Sequence, residues 1–334
     1  MQHVPILKDI VLLGGGHTHS LVIKKWGMKP LPGVRLTLVS QTTLTPYSGM
    51  LPGFVAGHYT REETHIDLAR LCRWSGVRFI EARADGVDTE GRRLQLENHP
   101  DIEYDLLSID TGSTPDVETV PGAANFTVPV KPVYFFEQKW QSLLDRVQLH
   151  TDNTKDADDS LLSIGVVGAG VGGFELLLAL DHALKQRSAS FKLHWVVRGS
   201  LPLRQQPDRV AKLALEECEA RGIEVHADFA VKEVQQNVLA SEAGASLNLD
   251  EILWVTAARA PAWPHKSGFA TDERGFIKVD KTLRSISHNN VFATGDIASL
   301  PSPGVAKAGV FAVRQAPVLF DNCLLYTSPS PRDS

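Results

Sequence analysis

Read for its apolar and polar positions, the chain repeats one pattern twice: a short apolar run, a glycine cluster, then a helix-like run. The first instance is DIVLL (residues 9–13), then GGG, then HSLVIKKWG, with VRLTLVS (residues 34–40) as the following strand. Continuous apolar runs of this length, bounded by turn residues, suit strands buried on both faces. Strand, helix and second strand make one right-handed βαβ unit. HIDLARLCRWSG has helical spacing and stops at a glycine. From Val77 to Asp110 the pattern shortens to VRFIEA, GRRLQLEN and EYDLLSID, which predict a β-meander inserted into the parallel fold. VKPVYFFEQKWQSLLDRV is helical after its proline, and TDNTKDADDS (residues 151–160) predicts a polar surface linker.

The second instance begins at Leu161 with LSIGVV, then GFELLLALDHALKQ, then KLHWVVR. PDRVAKLALEECEARG and IEVHADFAVKEV follow, and ASLNLDEILWVTAARAP ends the region with a buried strand. FIKVD and NNVFAT predict strands returning to the first domain, beside a helix in VAKAGVFAVRQAPVLFDN. The predicted fold class is α/β, with two Rossmann-like dinucleotide-binding domains. One is split over residues 1–150 and 273–322. The other, residues 161–272, is inserted into it, in a three-layer arrangement with a β-meander.

With 43% hydrophobic and 22% charged residues in 334, the composition fits a soluble globular chain of two domains. A net charge of −5 without a long basic run argues against nucleic acid as a partner. No apolar stretch is long enough for a transmembrane segment, and MQHVPILKDI does not read as a targeting signal. A cytoplasmic location, or one peripheral to a membrane, is expected. Cys72, Cys218 and Cys323 form neither a C-x-x-C pair nor a metal cluster, which suits a reducing compartment.

The glycine clusters carry the chemistry. Gly168, Gly170 and Gly173 match G-x-G-x-x-G. The first glycine permits the tight turn, the second lets backbone approach a pyrophosphate, and the third lets helix pack on strand. Free amides at the helix start then face the anion. The first cluster, Gly14, Gly15 and Gly16, supplies the turn but has His19 at the third position. A side chain there is expected to push the helix away from the strand. Ser40 ends the next strand where a ribose-binding carboxylate is usual. His17 and His19 lack an evident third ligand, so no metal site is expected. In NNVFATGDIA, Asp296 follows Gly295 after an apolar strand, where a carboxylate can accept hydrogen bonds from a sugar-alcohol chain. KLHWVVR ends near Arg198, and Arg198 and Arg204 suit a 2′-phosphate, so NADPH is expected to be accepted.

These motifs together resemble the two-dinucleotide-binding-domain flavoproteins, which include type II NADH dehydrogenases, sulfide:quinone reductases and pyridine nucleotide-disulfide reductases. The resemblance runs from Ile10 to Asn322 through YDLLSIDTGSTP, DEILWVTAARAPAW and NVFATGDIA. TPYSGMLPGFVAGHY, GGGHTHS and KAGVFAVRQAPVL are similar to the module often fused ahead of selenide, water dikinase. The resemblance implies FAD in the split domain, at Gly14, Gly15, Gly16, His17, Ser40, Thr111, Gly112, Gly295 and Asp296. It implies NAD(P)H in the inserted domain, at Gly168, Gly170, Gly173, Glu175 and Arg198. Pro46, Tyr47, Ser48 and Gly49 lie near the flavin by position in the family, and Tyr47, Lys131 and Glu175 are the candidates beside the reacting rings. Each has a plainer reading: a packed loop aromatic, a solvated lysine, and a favourable charge in the first turn of a helix. Lys307 and Gln315 face either the acceptor or solvent.

Residues 45–59 hold no cysteine where disulfide reductases place their redox pair, so dithiol relay is not expected. The expected activity is that of an FAD-dependent NAD(P)H dehydrogenase passing electrons to a small, quinone-like acceptor. Alternatives are a redox accessory module of a selenide, water dikinase fusion, or another flavoenzyme such as a monooxygenase. Residues 323–334, CLLYTSPSPRDS, resemble translated sequencing adapter and are expected to end the helix and join no core. Relatives continue here with a segment that covers the flavin and contacts a membrane or acceptor.

Overall fold

The computed structural model describes residues 5–153, 161–187, 189–256, 258–302 and 307–325. The chain forms two compact units. One gathers Met1–Tyr47, His65–Ser113 and Arg259–Ser334; the other gathers Ser48–Thr64 and Thr114–Ala258.

The first unit is built on a five-stranded sheet in the order Val291–Ala293, Leu106–Ile109, Lys8–Leu13, Val34–Ser40, Arg78–Glu81, with every pair parallel. Ile10, Val11, Leu12 and Leu13 are buried without alternation, as a central strand covered on both faces must be. The helix His17–Met28 turns Val22, Ile23 and Trp26 inward, at the spacing of one helix face. They pack with Leu36, Leu38, Leu68, Phe292 and Leu319 in one core. The helix Leu68–Ser75 starts at Asp67, whose carboxylate accepts the Arg70 amide at 2.8 Å, and ends at Gly76 with φ 70°.

Three sequence expectations change here. VRFIEA and the LLSI of EYDLLSID are parallel strands of the main sheet, and the meander is confined to Ala84–Asp88, Arg93–Leu96 and Ile102–Glu103. Short apolar runs carry the same period in either setting. His65–Asp67 is a strand paired antiparallel with Leu44–Pro46, so the helix begins three residues later than its spacing suggests. The last helix, Gly309–Leu325, does not stop at Asn322: Cys323 is buried against the core that holds Leu319 and Phe320. The helix runs on through Leu325, and for Cys323 the expectation of joining no core is corrected. Residues 326–334 lie outside the described residues.

The second unit repeats the architecture. Its sheet runs Val128–Pro129, Glu251–Trp254, Leu162–Val167, Phe191–Val196, Glu224–His226, again all parallel. The helix Val171–Gln186 buries Leu176, Leu177, Leu180 and Leu184 on Ile164, Val166 and Trp195. The helix Val133–Asn153 adds Phe136, Trp140 and Leu143 to that core, and extends into the first residues of the expected linker. Residues 154–160 of that linker lie outside the described residues. A three-stranded antiparallel sheet, Val231–Gln235, Val238–Ser241 and Ser246–Asn248, completes the unit. No helix among the described residues is long and apolar enough to cross a membrane.

Candidate functional site

In the first unit the central strand Lys8–Leu13 runs out into Gly14, whose φ of 94° is open to glycine. A Cβ there would stand 2.4 Å from the Asp110 carbonyl oxygen, so the turn is packed against its neighbour strand's end. The helix that follows is capped by Gly16, which has no side chain to satisfy the first amides. Asp110 does this instead. Its Oδ2 accepts the His19 amide at 3.1 Å and the Thr18 amide also reaches the carboxylate, while the Thr18 hydroxyl donates to the Ala312 carbonyl at 2.8 Å. Asp110 is 3% exposed, and burial pushes its carboxyl up to about 7. Bonds from His19 and Thr18 pull the other way, while the Asp296 carboxylate adds to the rise.

His19 does not push the helix off the strand. Its ring lies in the gap: Nδ1 bonds the Gly14 carbonyl at 2.6 Å, and Nε2 meets the Ser108 hydroxyl at 2.8 Å. A carbonyl only accepts, so Nδ1 carries the proton and Nε2 accepts from Ser108. Burial lowers this imidazole to about 4, keeping it neutral. Both nitrogens are engaged, which removes His19 from any metal pair with His17. His17 instead places Nε2 3.2 Å from the Pro46 carbonyl, and its ring lies tilted against that of Tyr47 with centroids 4.7 Å apart; Tyr47 is about one-third exposed.

The other predicted residues of this unit gather at the same turn. Ser40 Oγ would lie 3.3 Å from a Cβ on Gly15, and Thr111 adjoins Gly14. Gly112, with φ 75°, leaves open space where a Cβ would stand. Gly295 donates its amide to Gln315 Oε1 at 2.6 Å, and Asp296 Oδ2 accepts from Ser113 Oγ at 2.9 Å. Gln315 is therefore an internal brace rather than a group facing acceptor or solvent. Lys307 likewise turns inward, onto the Ala298 carbonyl and over the Phe276 ring at 4.0 Å. The Thr294 hydroxyl beside Gly295 is buried without a partner among the described residues. Sequence reasoning missed Asp110, Ser113, Thr18 and Ser108. The signal was a carboxylate directly before T-G-S at the end of an apolar strand.

The second unit repeats the turn with the expected glycines. Gly168 has φ 141°, and a Cβ there would lie 2.3 Å from the Val255 carbonyl oxygen. A Cβ on Gly173 would stand 2.4 Å from the Gly168 oxygen, so helix and strand touch as the motif requires. Gly170 caps the helix and faces open space, where backbone can approach a ligand. Trp195 Nε1 donates to the Gly168 carbonyl at 2.9 Å, and Thr256 Oγ1 beside the turn is buried without a partner among the described residues. Arg198 is exposed just past the strand Phe191–Val196, and the exposed Arg204 packs on Gly199. Glu175 is exposed and stands beyond the first turn of its helix, so the reading as a first-turn charge is corrected. Lys131 lies in this unit as well.

The three thiols are inert. Cys72, Cys218 and Cys323 are buried and unpaired with each other, and burial pushes them up to about 12, about 11 and about 12.

Both turns fit an anionic dinucleotide: each has a glycine held by a neighbouring carbonyl, helix amides at its end, and an orphaned hydroxyl nearby. The chain is 24% identical over 300 residues to an alternative NAD(P)H-ubiquinone oxidoreductase of Arabidopsis thaliana, covering 80% of this chain and 56% of that protein. It is 22% identical to a demethylphylloquinone reductase of Synechocystis, covering 86% of this chain and 71% of that one. Among solved structures it resembles an engineered NADPH oxidase derived from the water-forming NADH oxidase of Lactobacillus brevis, with a TM-score of 0.77 and 18% identity over 95% of this chain and 69% of that one. The chain thus spans little more than half the length of the plant relative. A family profile for pyridine nucleotide-disulphide oxidoreductases, enzymes that work with FAD and NAD(P)H, matches residues 8–316, and the chain belongs to that family.

Proposed function

We propose that this chain is an FAD-dependent NAD(P)H oxidoreductase that takes hydride from NAD(P)H and passes electrons to a quinone-like acceptor. One observation carries the reading: each unit has a glycine turn at the end of the middle strand of a parallel five-stranded sheet, opening a helix. Two dinucleotide sites in one chain serve to couple a donor to a flavin.

In the first unit, Gly14 would supply the turn, its own amide held by the Val39 carbonyl, the amides of Gly15 and Gly16 would hold the FAD pyrophosphate, and Ser40 a ribose hydroxyl. Asp296, braced by Ser113, would accept hydrogen bonds from the ribityl chain, with Thr111, Gly112 and Gly295 lining the approach. Tyr47, its ring against that of His17, would lie beside the start of that helix. In the second unit Gly168, Gly170 and Gly173 would take the nicotinamide cofactor's pyrophosphate, with Glu175 and Lys131 as candidates toward the reacting ring. When bound, FAD supplies the ring that accepts a hydride, so that NAD(P)H leaves as NAD(P)+ and a quinone takes up two electrons and two protons to leave as quinol. The buried thiols leave direct transfer in place of a dithiol relay.

The quinone acceptor is supported by the ubiquinone and demethylphylloquinone reductases among the relatives. Use of NADPH is supported by Arg198 and Arg204, because the engineered NADPH oxidase replaced an aspartate by alanine and gained two arginines. The alternative, an accessory module working beside a selenium-activating domain, rests on the resemblance of TPYSGMLPGFVAGHY, GGGHTHS and KAGVFAVRQAPVL alone.

The test combines flavin identity with turnover. Heat-released flavin should co-migrate with FAD, and anaerobic NADH and NADPH should both bleach the holoprotein. The R198A/R204A double variant should lose about 10- to 100-fold in NADPH use relative to NADH, the cost of charged hydrogen bonds. A soluble quinone should then sustain turnover. Colourless protein that FAD cannot reconstitute overturns the proposal; bleaching without quinone turnover favours the accessory module.

A further inference from the structure

The geometry points to a site of another kind in the second unit: His194, Glu224 and His226 together bind one divalent transition-metal ion of the zinc class. Nothing in the dinucleotide chemistry uses these residues. His194 lies on the strand Phe191–Val196 directly opposite Glu224 of the parallel edge strand Glu224–His226, and His226 pairs with Val196. Side chains two apart on a strand share a face, and so do direct cross-strand partners. The backbone register, rather than a chance of rotamers, therefore brings two imidazoles and a carboxylate to one spot.

The donor atoms are spaced as such an ion needs. His194 Nδ1 lies 3.0 Å from His226 Nε2, and Glu224 Oε2 lies 3.4 Å from the first and 3.8 Å from the second. Ligands at about 2.0–2.1 Å in a tetrahedron stand about 3.3 Å apart, inside that range. Two nitrogens and one carboxylate oxygen favour zinc, cobalt, nickel or copper over magnesium or calcium. Three protein ligands leave the fourth position to water. His194 is 7% exposed while Glu224 has its side chain 46% exposed, so the site opens to solvent on one side.

Without an ion the two rings are within 25° of coplanar and share a hydrogen bond. Binding requires the donating ring to shift its proton to its far nitrogen and both rings to turn off the N···N line. Burial disfavours the charged form of both imidazoles. Lys192 is the competitor: its Nζ holds Glu224 Oε1 at 2.5 Å. That contact occupies the outer oxygen and leaves Oε2 toward the histidines. The four groups Lys192, His194, Glu224 and His226 make up the local charge set. His194 is too far in sequence from the Glu224–His226 pair for the three to be read as a metal motif.

The test uses untagged, chelator-stripped holoprotein. Co2+ titration should give one equivalent of visible ligand-field absorption, which Zn2+ then displaces and Mg2+ does not. E224Q, a change at an exposed position, should weaken Zn2+ binding at least tenfold, and H226Q should abolish the cobalt spectrum. K192Q should tighten binding by freeing the carboxylate. The flavin spectrum reports folding in every variant. Absence of a cobalt spectrum in wild-type protein, or equal Zn2+ affinity in wild type, E224Q and H226Q, overturns the proposal. Neither result bears on flavin reduction, which is measured separately.

Discussion

Replacing Asp110 with asparagine isolates the carboxylate beneath the first glycine turn. The asparagine carbonyl can still accept the His19 amide, so the helix start keeps its partner. What disappears is a titration. An unfolded aspartate ionises near 3.8, whereas in the fold Asp110 holds its proton to about 7, chiefly because of burial. Between these values the folded chain carries a proton that the unfolded chain has shed. Stability therefore falls as pH rises through that window and levels off above about 7. About three pH units at 1.36 kcal/mol each make the whole loss ~4 kcal/mol, of which ~2–3 kcal/mol falls between pH 5 and pH 8. Urea unfolding of the apoprotein should show D110N gaining on wild type by that amount from pH 5 to pH 8. A pyrophosphate at the turn would raise the Asp110 carboxyl further, so FAD binding by wild type should take up a proton and weaken above pH 7. D110N should bind FAD with little pH dependence in that range. If the stability difference between the two proteins stays within about 0.5 kcal/mol from pH 5 to pH 8, Asp110 does not hold its proton and the reasoning fails.

Two further outcomes follow from the same geometry. In the C72S/C218S double variant, NAD(P)H should reduce the flavin within about twofold of wild type, despite a stability cost of roughly 1–3 kcal/mol per buried hydroxyl. Rapid-mixing absorbance checks this, and a folded, flavin-loaded variant that cannot be reduced would show that a thiol takes part. G168A and G170A should separate folding from binding. G168A forces a Cβ within 2.3 Å of a carbonyl oxygen at φ 141° and should lower Tm, whereas G170A meets nothing within 4 Å and should mainly raise KM for NAD(P)H. Equal thermal losses in both would contradict this division.

The parallel sheets and both turns were legible because strand, glycine and helix lie within about twenty residues of each other, where hydrophobic period and φ requirements act locally. Short strands were not. Arg78–Glu81 and Leu106–Ile109 read as meander because four-residue runs do not reveal whether their neighbour is parallel or antiparallel. The same limit hid His194, Glu224 and His226, whose meeting depends on register between adjacent strands. The first glycine turn is more instructive. Its departures from the expected motif, His19 in place of the third glycine and Asp110 before the T-G-S, each look like decay when taken singly. In the fold they touch. Asp110 accepts the His19 amide, and the His19 ring joins Gly14 to Ser108 on the strand that carries Asp110. A histidine too large for the glycine position becomes a brace because a hydroxyl two residues before Asp110 and a turn carbonyl satisfy both its nitrogens. A buried carboxylate becomes tolerable because the helix start supplies amides and the fold lets it keep a proton. Two unusual residues that compensate each other across nearly a hundred positions are a stronger sign of a maintained turn than one glycine would be, and only contact in space makes that visible.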